Sequence, residues 1–392
     1  MDFSYTEEQL ALQDTLQRFI ARDYDFERRR AHARSTLGYS AEAWSQYAEL
    51  GLLALPFPEE FGGLGGSAVD VMLVMELIGR GLLLEPFLST VVLCGGLIRD
   101  AAPATIKRSL LPQIGAGKLK LALACYEAAG RYDLSHVACS AVSAGATHGK
   151  GGVAGWRLSG HKAVVLDAAS ADYFLVSARG SGNVTDADGI SLFRVRRDAP
   201  GLTLFAYPTQ SGGRAADLRL QNVIVGADDL IGVTARALPM IERAVDLGAA
   251  ALCAEAVGII SALNEATLGY LKSRKQFGVA IGKFQALQHR MADMLIAAEQ
   301  ARSMAIIAAV HCDSGDVAER RRAVSGAKAY IGQAARLVGQ QAVQLHGAMG
   351  MVDDLIVSHY FKRLTMIDLT LGDADFHLGR FSDLLLRTSF GR

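Results

Sequence analysis

The first part of the chain shows apolar residues at helical spacing. It opens with Thr6–Gln9, a capping-box sequence in which a hydroxyl and a carboxamide can satisfy free backbone amides of a first helical turn. Apolar positions then recur three and four residues apart. Glycines in the loop 56–67 permit tight turns, and the helical pattern resumes beyond it. Residues 1–120 are therefore predicted to form a helical domain.

The hydrophobic pattern changes between residues 121 and 231. Short runs of alternating apolar and polar positions, such as 156–167 and 201–208, are separated by glycine and charged residues. A period of two is typical of strands that bury one face, so this segment is predicted to be a small antiparallel β domain. Long alanine-rich helical patterns occupy residues 232–392. The fold class is α+β, in the order helical, β, helical.

One apolar stretch, Ala244 to Leu263, is about as long as a membrane span. Asp246 and Glu255 interrupt it, and its small residues allow helices to pack closely. A helix buried inside the protein or at a subunit interface is therefore predicted, and no membrane span.

Composition excludes several classes of function. Of the 392 residues, 51% are apolar, which is typical of globular proteins, and forty basic residues balance forty acidic ones without a run of like charge. Such a chain offers no obvious surface for nucleic acid. The five cysteines lack metal or redox spacing, and the N-terminus lacks a signal-peptide pattern. A cytoplasmic protein without a metal site is expected.

Two segments near the C-terminal end carry groups that suit a dinucleotide. The first, Ser273–Gly278, reads SRKQFG and contains a guanidinium and an aromatic ring. The second, Gln344–Gly347, reads QLHG and closes a helical pattern with glycine. Together they supply bidentate phosphate donors, an aromatic face, an amide and backbone N–H groups, which are what a pyrophosphate-linked nucleotide needs.

In this order, after a helical and a β segment, these motifs resemble the acyl-CoA dehydrogenase family. Supporting motifs are PEEFGGLG at 58–65, LSGHKAVV at 158–165 and LQNVIVGADDLIG at 220–232. The resemblance covers nearly the whole chain. It implies an N-terminal helical domain, a central β-barrel-like domain, a C-terminal four-helix bundle, bound FAD, an acyl-CoA substrate, and a dimer or tetramer. It also implies which residues hold the adenosine and pyrophosphate of a neighbouring subunit's FAD: Arg274, Phe277, Gln344 and Gly347, with Phe284 and Gln285 nearby.

The segments that cradle the flavin ring in the family are altered. Where the family has a stretch resembling TEPxAGSD, this chain reads YEAAGRYD, so two hydroxyls are lost and Tyr126, Arg131 and Tyr132 add bulk. On the strand whose threonine reaches the ring's N5 edge, this chain has Leu166, which cannot donate a hydrogen bond. The resemblance therefore leaves the ring without its usual partners here.

The catalytic base of the family is missing. Its glutamate aligns with Leu371, and the alternative position on the first helix of the C-terminal bundle falls on Gly248. Removal of a weakly acidic thioester α-proton requires a base, and a well-placed base is typically worth about 10²- to 10⁴-fold in rate. Neither leucine nor glycine supplies one.

Four carboxylates are candidate substitutes for this base: Asp373, Asp368, Asp246 and Glu255. Asp373 follows the glycine of the motif and has a shorter side chain than glutamate. It also precedes a final amphipathic segment, which predicts a helix N-cap. Asp368 lies about one helical turn before Leu371 and could point inward.

These losses favour one function and leave two others open. The chain is predicted to be the non-catalytic subunit of a hetero-oligomeric acyl-CoA dehydrogenase, paired with a homologous subunit whose FAD site it completes. The alternatives are a self-sufficient homo-oligomer with a relocated base and a binding protein without flavin. RYDL at 131–134 and AVVLD at 163–167 most resemble small subunits of the pimeloyl-CoA dehydrogenase branch. Known two-chain members act on bulky or polar-ended acyl-CoAs.

Overall fold

The computed structural model describes residues 5–146 and 154–390. Packing divides the chain into two compact units, each assembled from separate segments. The predicted boundaries near residues 120 and 231 follow changes in secondary structure, whereas these units follow packing. One unit contains Met1–Ala31, Ser67–Leu83 and Ala249–Arg392, and the other contains His32–Gly66 and Leu84–Gly248.

The chain before the strands is helical, as predicted. Its helices are α1 (Glu7–Asp23), α2 (Phe26–Arg34), α3 (Ala41–Glu49), α4 (Ala68–Gly81), a π-helix at Leu88–Gly95, α5 (Gly96–Ala101) and α6 (Ala104–Gly115). At the start of α1, the Gln9 amide donates to Thr6 Oγ1 over 3.2 Å and the Thr6 amide donates to Gln9 Oε1 over 3.0 Å. The predicted capping box is therefore present.

The middle of the chain forms an eight-stranded sheet. Its strands are β1 (Leu121–Ala124), β2 (Ser140–Ala146), β3 (Ala154–Leu166), β4 (Tyr173–Arg179), β5 (Ile190–Arg196), β6 (Leu202–Pro208), β7 (Arg214–Gly226) and β8 (Leu230–Ile231). They are ordered β6-β7-β3-β2-β4-β5-β8, and β1 pairs with β4. The described strand pairs are antiparallel except β1 with β4 and a single residue pair between β2 and β4. The prediction of an antiparallel domain was wrong at these strands, because the intervening chain supplies the crossover that parallel pairing needs.

Long helices dominate the C-terminal part. They are α7 (Leu238–Ser273), α8 (Gln285–Cys312), α9 (Val317–His346), α10 (Ile356–Leu369) and α11 (Ala374–Phe390), with two-residue strands β9 (Lys275–Gln276) and β10 (Val279–Ala280) between α7 and α8. Helix α9 packs against α8, α10 and α11. The turn at residues 370–373, where the family's base aligns, separates α10 from α11.

The apolar helix α7 is long and apolar enough to cross a membrane, yet 89% of its most apolar window is buried within the protein. Its small residues bring it close to α4. A Cβ on Gly258 would lie 1.8 Å from the Glu76 carbonyl oxygen, and one on Gly79 would lie 2.0 Å from the Glu255 carbonyl oxygen. The predicted close packing through small residues is confirmed.

Candidate functional site

The segment after α7 forms a short hairpin that displays an aromatic ring. The Arg274 amide donates to the Tyr270 carbonyl over 2.8 Å, and the Arg274 carbonyl accepts from the Ile281 amide over 2.9 Å. Phe277 and Gly278 form the tip, with φ of +53° and +80°. A left-handed pair of this kind is what a two-residue hairpin turn requires. Arg274 is therefore held at the base of the hairpin with its side chain exposed.

A short 3-10 helix, Ile281–Lys283, joins this hairpin to helix α8. The Phe277 side chain is 91% exposed, and its ring meets that of Phe284 edge to face with centroids 6.1 Å apart. Phe284 is the N-cap residue of α8 and gives no side-chain hydrogen bond to the first turn. Gln285 opens the helix and is exposed. The partial positive charge of a helix N-terminus without a side-chain cap favours an anionic group.

The QLHG turn contacts the last turn of α7, which precedes the hairpin. Helix α9 ends at His346, and Gly347 follows with φ +61°, while Gln344 is exposed on the last turn. The buried His346 ring stacks on Tyr270, with centroids 4.4 Å apart and planes at 27°. A ring contact thus links α7 and α9, the helices that lead into the two predicted nucleotide motifs.

The two segments that match the flavin cradle are also adjacent. The Ala163 amide donates to the Tyr126 carbonyl over 2.9 Å. Strand β3 shifts register between Lys162 and Val165, and there Val164 has φ +52° and donates its amide to Asp217 Oδ1 over 2.9 Å.

The residues that differ from the family's flavin cradle lie in these two segments. Arg131 is exposed in a turn with φ +50°, whereas Tyr126, Tyr132 and Leu166 are half-buried. Tyrosine side chains therefore occupy the positions of the family's threonine and serine, an arginine occupies that of its glycine, and a leucine occupies that of the threonine at the N5 edge.

A buried ion pair fixes the loop that follows Tyr126. Lys162 Nζ donates to Glu127 Oε1 over 2.7 Å and to Ser177 Oγ over 2.9 Å. The carboxylate also accepts from the amides of Ala138 and Cys139 at 2.8 and 3.0 Å. Burial opposes ionisation of Glu127, but Lys162 and these hydrogen bonds outweigh it and hold its pKa below the usual value.

Sequence reasoning did not single out this pair. An inward-facing lysine within an alternating strand was the available signal, since a buried cation needs a partner. With its oxygens engaged by a cation and two amides, Glu127 is a structural group.

The turn at the family's base position is held by a buried cation. Leu371 is buried with φ +60°, and Gly372 follows with φ +108°. Lys328 Nζ donates to the carbonyls of Ile367, Asp368 and Gly372 at 2.9, 2.9 and 2.7 Å. Burial lowers the pKa of this lysine. An apolar side chain thus occupies the family's base position, in a turn whose carbonyls are held by the buried Lys328.

Asp373 and Asp368 both serve the start of α11. Asp373 Oδ1 accepts from the Phe376 amide over 2.8 Å, so the predicted N-cap is confirmed. Asp368 Oδ1 accepts from the Ala374 amide over 3.2 Å, and its Oδ2 accepts from Arg336 over 3.0 Å. Both carboxylates stabilise the turn and the helix after it.

The two carboxylates on α7 are buried. Glu255 accepts from Arg363 Nε at 2.5 Å and Nη2 at 2.8 Å, a bidentate pair between α7 and α10. Asp246 has a relative exposure of 0%. Among the residues that the structure describes, no group of three or more His, Cys, Asp or Glu side chains is placed to hold a metal.

Three domain models match the chain in sequence order. The acyl-CoA dehydrogenase N-terminal domain matches residues 6–118, the middle domain 123–223 and the C-terminal domain 238–383. The chain belongs to the acyl-CoA dehydrogenase family, and the expected fold and family are confirmed. It is therefore a flavin-dependent oxidoreductase by family.

Individual relatives are similar along nearly their whole length. The probable acyl-CoA dehydrogenase YngJ of Bacillus subtilis (strain 168) is 28% identical over 96% of this chain and 97% of its own. A solved variant of the Tcur3481-Tcur3483 steroid ACAD is 32% identical, with a TM-score of 0.86 over 98% of this chain and 99% of that chain. The ChsE4-ChsE5 complex from Mycobacterium tuberculosis is 25% identical, with a TM-score of 0.87 over 98% and 99%.

Membership of this family implies FAD, and the residues fit FAD at one end. The exposed arginine, the aromatic pair and the uncapped start of α8 suit an adenosine with a pyrophosphate. The cradle segments fit the isoalloxazine poorly, because Tyr126 and Leu166 replace small hydroxyls and Arg131 replaces a glycine. The fit to the nucleotide tail and the poor fit to the ring lie on different parts of the chain.

Proposed function

We propose that this chain is the non-catalytic subunit of a hetero-oligomeric acyl-CoA dehydrogenase and completes the FAD site of a homologous chain. The observation that carries the proposal is the base position, where buried Leu371 lies in a turn held by Lys328. Nearby Asp368 and Asp373 are engaged in capping α11, and Glu255 is paired with Arg363. These three carboxylates are therefore committed to the fold and are not available to take a proton from a thioester.

In this proposal the chain's contribution is binding. Arg274 would donate to the pyrophosphate, Phe277 and Phe284 would flank the adenosine, and Gln285 would lie at the positive end of α8. Gln344 and the backbone at Gly347 would complete the contact. When bound, FAD supplies the hydride acceptor for α,β-desaturation. The partner chain would supply the ring cradle and the glutamate base.

Exposed apolar residues beside these motifs also support a partner. Phe277 is 91% exposed, Met349 51% and Met351 66%. Large apolar side chains at such exposure, grouped near a candidate binding turn, are typical of surfaces that another molecule covers.

The relatives support a two-chain assembly and a class of substrate. Two of the similar structures, the Tcur3481-Tcur3483 steroid ACAD and the ChsE4-ChsE5 complex, are named as pairs of chains. The segments 131–134 and 163–167 resemble small subunits of pimeloyl-CoA dehydrogenases. We therefore propose a bulky or polar-ended acyl-CoA as the substrate of the assembly, with dicarboxylic and steroid acyl-CoAs as the two candidates to compare.

Co-expression tests this function. The chain purified alone should lack stoichiometric FAD, and it should acquire flavin with a co-expressed homologous chain that carries a glutamate base. In that complex, Arg274→Ala should lower FAD occupancy. Arg196→Ala is the matched control, because it removes one exposed surface arginine paired with Asp198 in the β domain. Unchanged occupancy in Arg274→Ala would exclude the cross-subunit role.

The alternative is a self-sufficient homo-oligomer with a relocated base. It predicts a yellow chain that binds FAD alone and is bleached by an acyl-CoA. A chain that binds no flavin with any partner would instead support a binding protein that has kept the fold.

A further inference from the structure

We infer that Tyr270 and His346 are positioning residues that set the distance between the two halves of the nucleotide-tail site. The inference rests on the proposed function, since it concerns how this chain holds a partner's FAD. Its basis is the ring stack between them, with centroids 4.4 Å apart and an interplanar angle of 27°. This stack joins α7 to α9 near their C-terminal ends, where the two nucleotide motifs lie.

Tyr270 connects to the first half of the site through its backbone. Its carbonyl accepts from the Arg274 amide over 2.8 Å and from Ser273 Oγ over 3.2 Å. The Arg274 carbonyl in turn accepts from the Ile281 amide, which closes the hairpin that carries Phe277. A shift of the Tyr270 ring would therefore move the last turn of α7 and the root of the hairpin together.

His346 connects to the second half. Its ring is buried, and Nδ1 lies 2.8 Å from the Ala342 carbonyl, which can only accept, so Nδ1 carries the proton. Burial lowers the pKa of His346, which keeps the ring neutral on the face of Tyr270. Gly347, the next residue, turns the chain with φ +61°. The stack thus fixes the residue from which the QLHG turn departs.

This arrangement matters because phosphate contacts are short and directional. N–H···O hydrogen bonds join heavy atoms about 2.7–3.2 Å apart, so donors on two separate helices act together only if the helices keep their spacing. An aromatic stack of this geometry is worth about 0.5–1.5 kcal/mol beyond its buried area, which corresponds to roughly a twofold to thirteenfold change in affinity. Loss of the stack should weaken tail binding by that factor.

The test uses the co-expressed complex and two probes, FAD and ADP, since ADP has the tail without the ring. Tyr270→Leu and His346→Leu should each raise the Kd for ADP and FAD by roughly twofold to thirteenfold. Tyr270→Phe and His346→Phe keep an aromatic face and should bind nearly as the unaltered chain does. The double variant Tyr270→Leu with His346→Leu should lose no more than either single variant, because both remove one contact.

The outcomes separate this inference from the proposed function. If Arg274→Ala loses nucleotide while both leucine variants bind normally, the positioning role is overturned and the proposed function stands. If Tyr270→Phe is as weak as Tyr270→Leu, or if the two leucine effects simply add, the stack is not the cause and the inference fails. If Arg274→Ala binds as before, the proposed function and the inference fall together. Should Tyr270→Leu not fold, the His346→Leu and His346→Phe pair decides the matter.

Discussion

At the scale of single residues, the most informative place is the turn after α10, where two basic side chains approach the backbone. Lys328 Nζ donates to three carbonyls, and His377 Nε2 lies 3.0 Å from the Leu371 carbonyl. Since a carbonyl only accepts, Nε2 carries the proton, and Nδ1 faces Ser325 Oγ at 3.3 Å. Because burial lowers its pKa, the histidine is built into the fold in its neutral form.

This neutral histidine predicts a pH dependence of stability. Burial, together with the nearby Lys328 charge, lowers the pKa of His377 from 6.5 to about 3. Between these two pKa values, His377 binds a proton in the unfolded chain but not in the folded one. The contribution of neutral His377 to stability is therefore complete above pH 6.5 and is lost as pH falls toward 3. At about pH 5 the loss should be ~2 kcal/mol in the free energy of unfolding.

His377→Gln isolates that effect, because glutamine can still donate to the Leu371 carbonyl but does not titrate. Chemical denaturation at about pH 7.5 and pH 5 should show a smaller acid loss in the variant than in the unaltered chain. His346 and His359, whose pKa values are also lowered by burial, contribute equally to both proteins. Equal losses of stability in the two proteins would mean that His377 is already protonated in the folded state at about pH 5.

Local sequence predicted part of this turn and missed the rest. The N-cap at Asp373 was predictable, because capping depends on residues three positions apart. The role of Lys328 was not, because its carbonyl partners lie 39 to 44 residues away and an isolated lysine in an alanine-rich helix usually faces solvent. Asp373 and Lys328 both stabilise the turn between α10 and α11, but only the contact of Asp373, which is local in sequence, could be predicted from the sequence.

At the scale of elements, helix α7 is joined to α10 by a buried ion pair. The Glu255 side chain is 3% exposed and that of Arg363 28%. Removal of one partner leaves a buried charge, so Arg363→Met should cost about 3–5 kcal/mol. Adding Glu255→Gln to Arg363→Met should recover most of that loss, since the buried charge is gone.

An exposed pair between α4 and α7 provides the control. The side chains of Arg80 and Glu265 are 41% and 62% exposed, and Arg80→Met should cost no more than about 1 kcal/mol. Chemical denaturation of the single and double variants measures both. An equal cost at Arg363 and Arg80 would show that burial does not determine the strength of these pairs.

The hairpin between α7 and α8 presents an element under strain. Phe277 has φ +53°, a conformation that costs an L-residue roughly 1–2 kcal/mol, and its exposed ring gains little from packing. Phe277→Gly should therefore leave the Tm unchanged or raise it, while FAD occupancy of the complex falls. Ala235→Gly relieves a similar φ of +62° between β8 and α7 and should leave occupancy unchanged. A Tm loss without a flavin loss in Phe277→Gly would assign the ring to folding.

At the scale of the whole molecule, the succession of helical, β and helical segments was readable from periodicity, and three domain models follow it. The assembly of each compact unit from separate segments was not readable. Periodicity reports which face of an element is buried, but it does not report which distant element covers that face. The parallel strand β1 escaped prediction for this reason, since its four residues are all buried and show no alternation.

The division of labour in the proposed assembly predicts its flavin content. If this chain supplies a nucleotide-tail site but no ring cradle, each pair of one such chain and one partner should bind a single FAD. The reverse site, made of this chain's cradle and the partner's tail residues, would stay without flavin. Flavin absorbance measured against the concentration of each chain gives the ratio, and two flavins per pair would overturn this interpretation.

This chain lacks both the family's catalytic base and its usual flavin cradle. Restoring the base alone tests the two losses separately. Leu371→Glu places a carboxylate at the family position, but Tyr126 and the half-buried Leu166 still lie in the cradle segments. The variant complex should therefore keep a single FAD per pair and an unchanged kcat per flavin, as measured by flavin absorbance and acyl-CoA-dependent dye reduction. Leu371→Gln is the matched control for a buried polar side chain without a base. A second flavin, or a gain in rate specific to Leu371→Glu, would mean that this chain's own cradle accepts the ring and that only its base was missing.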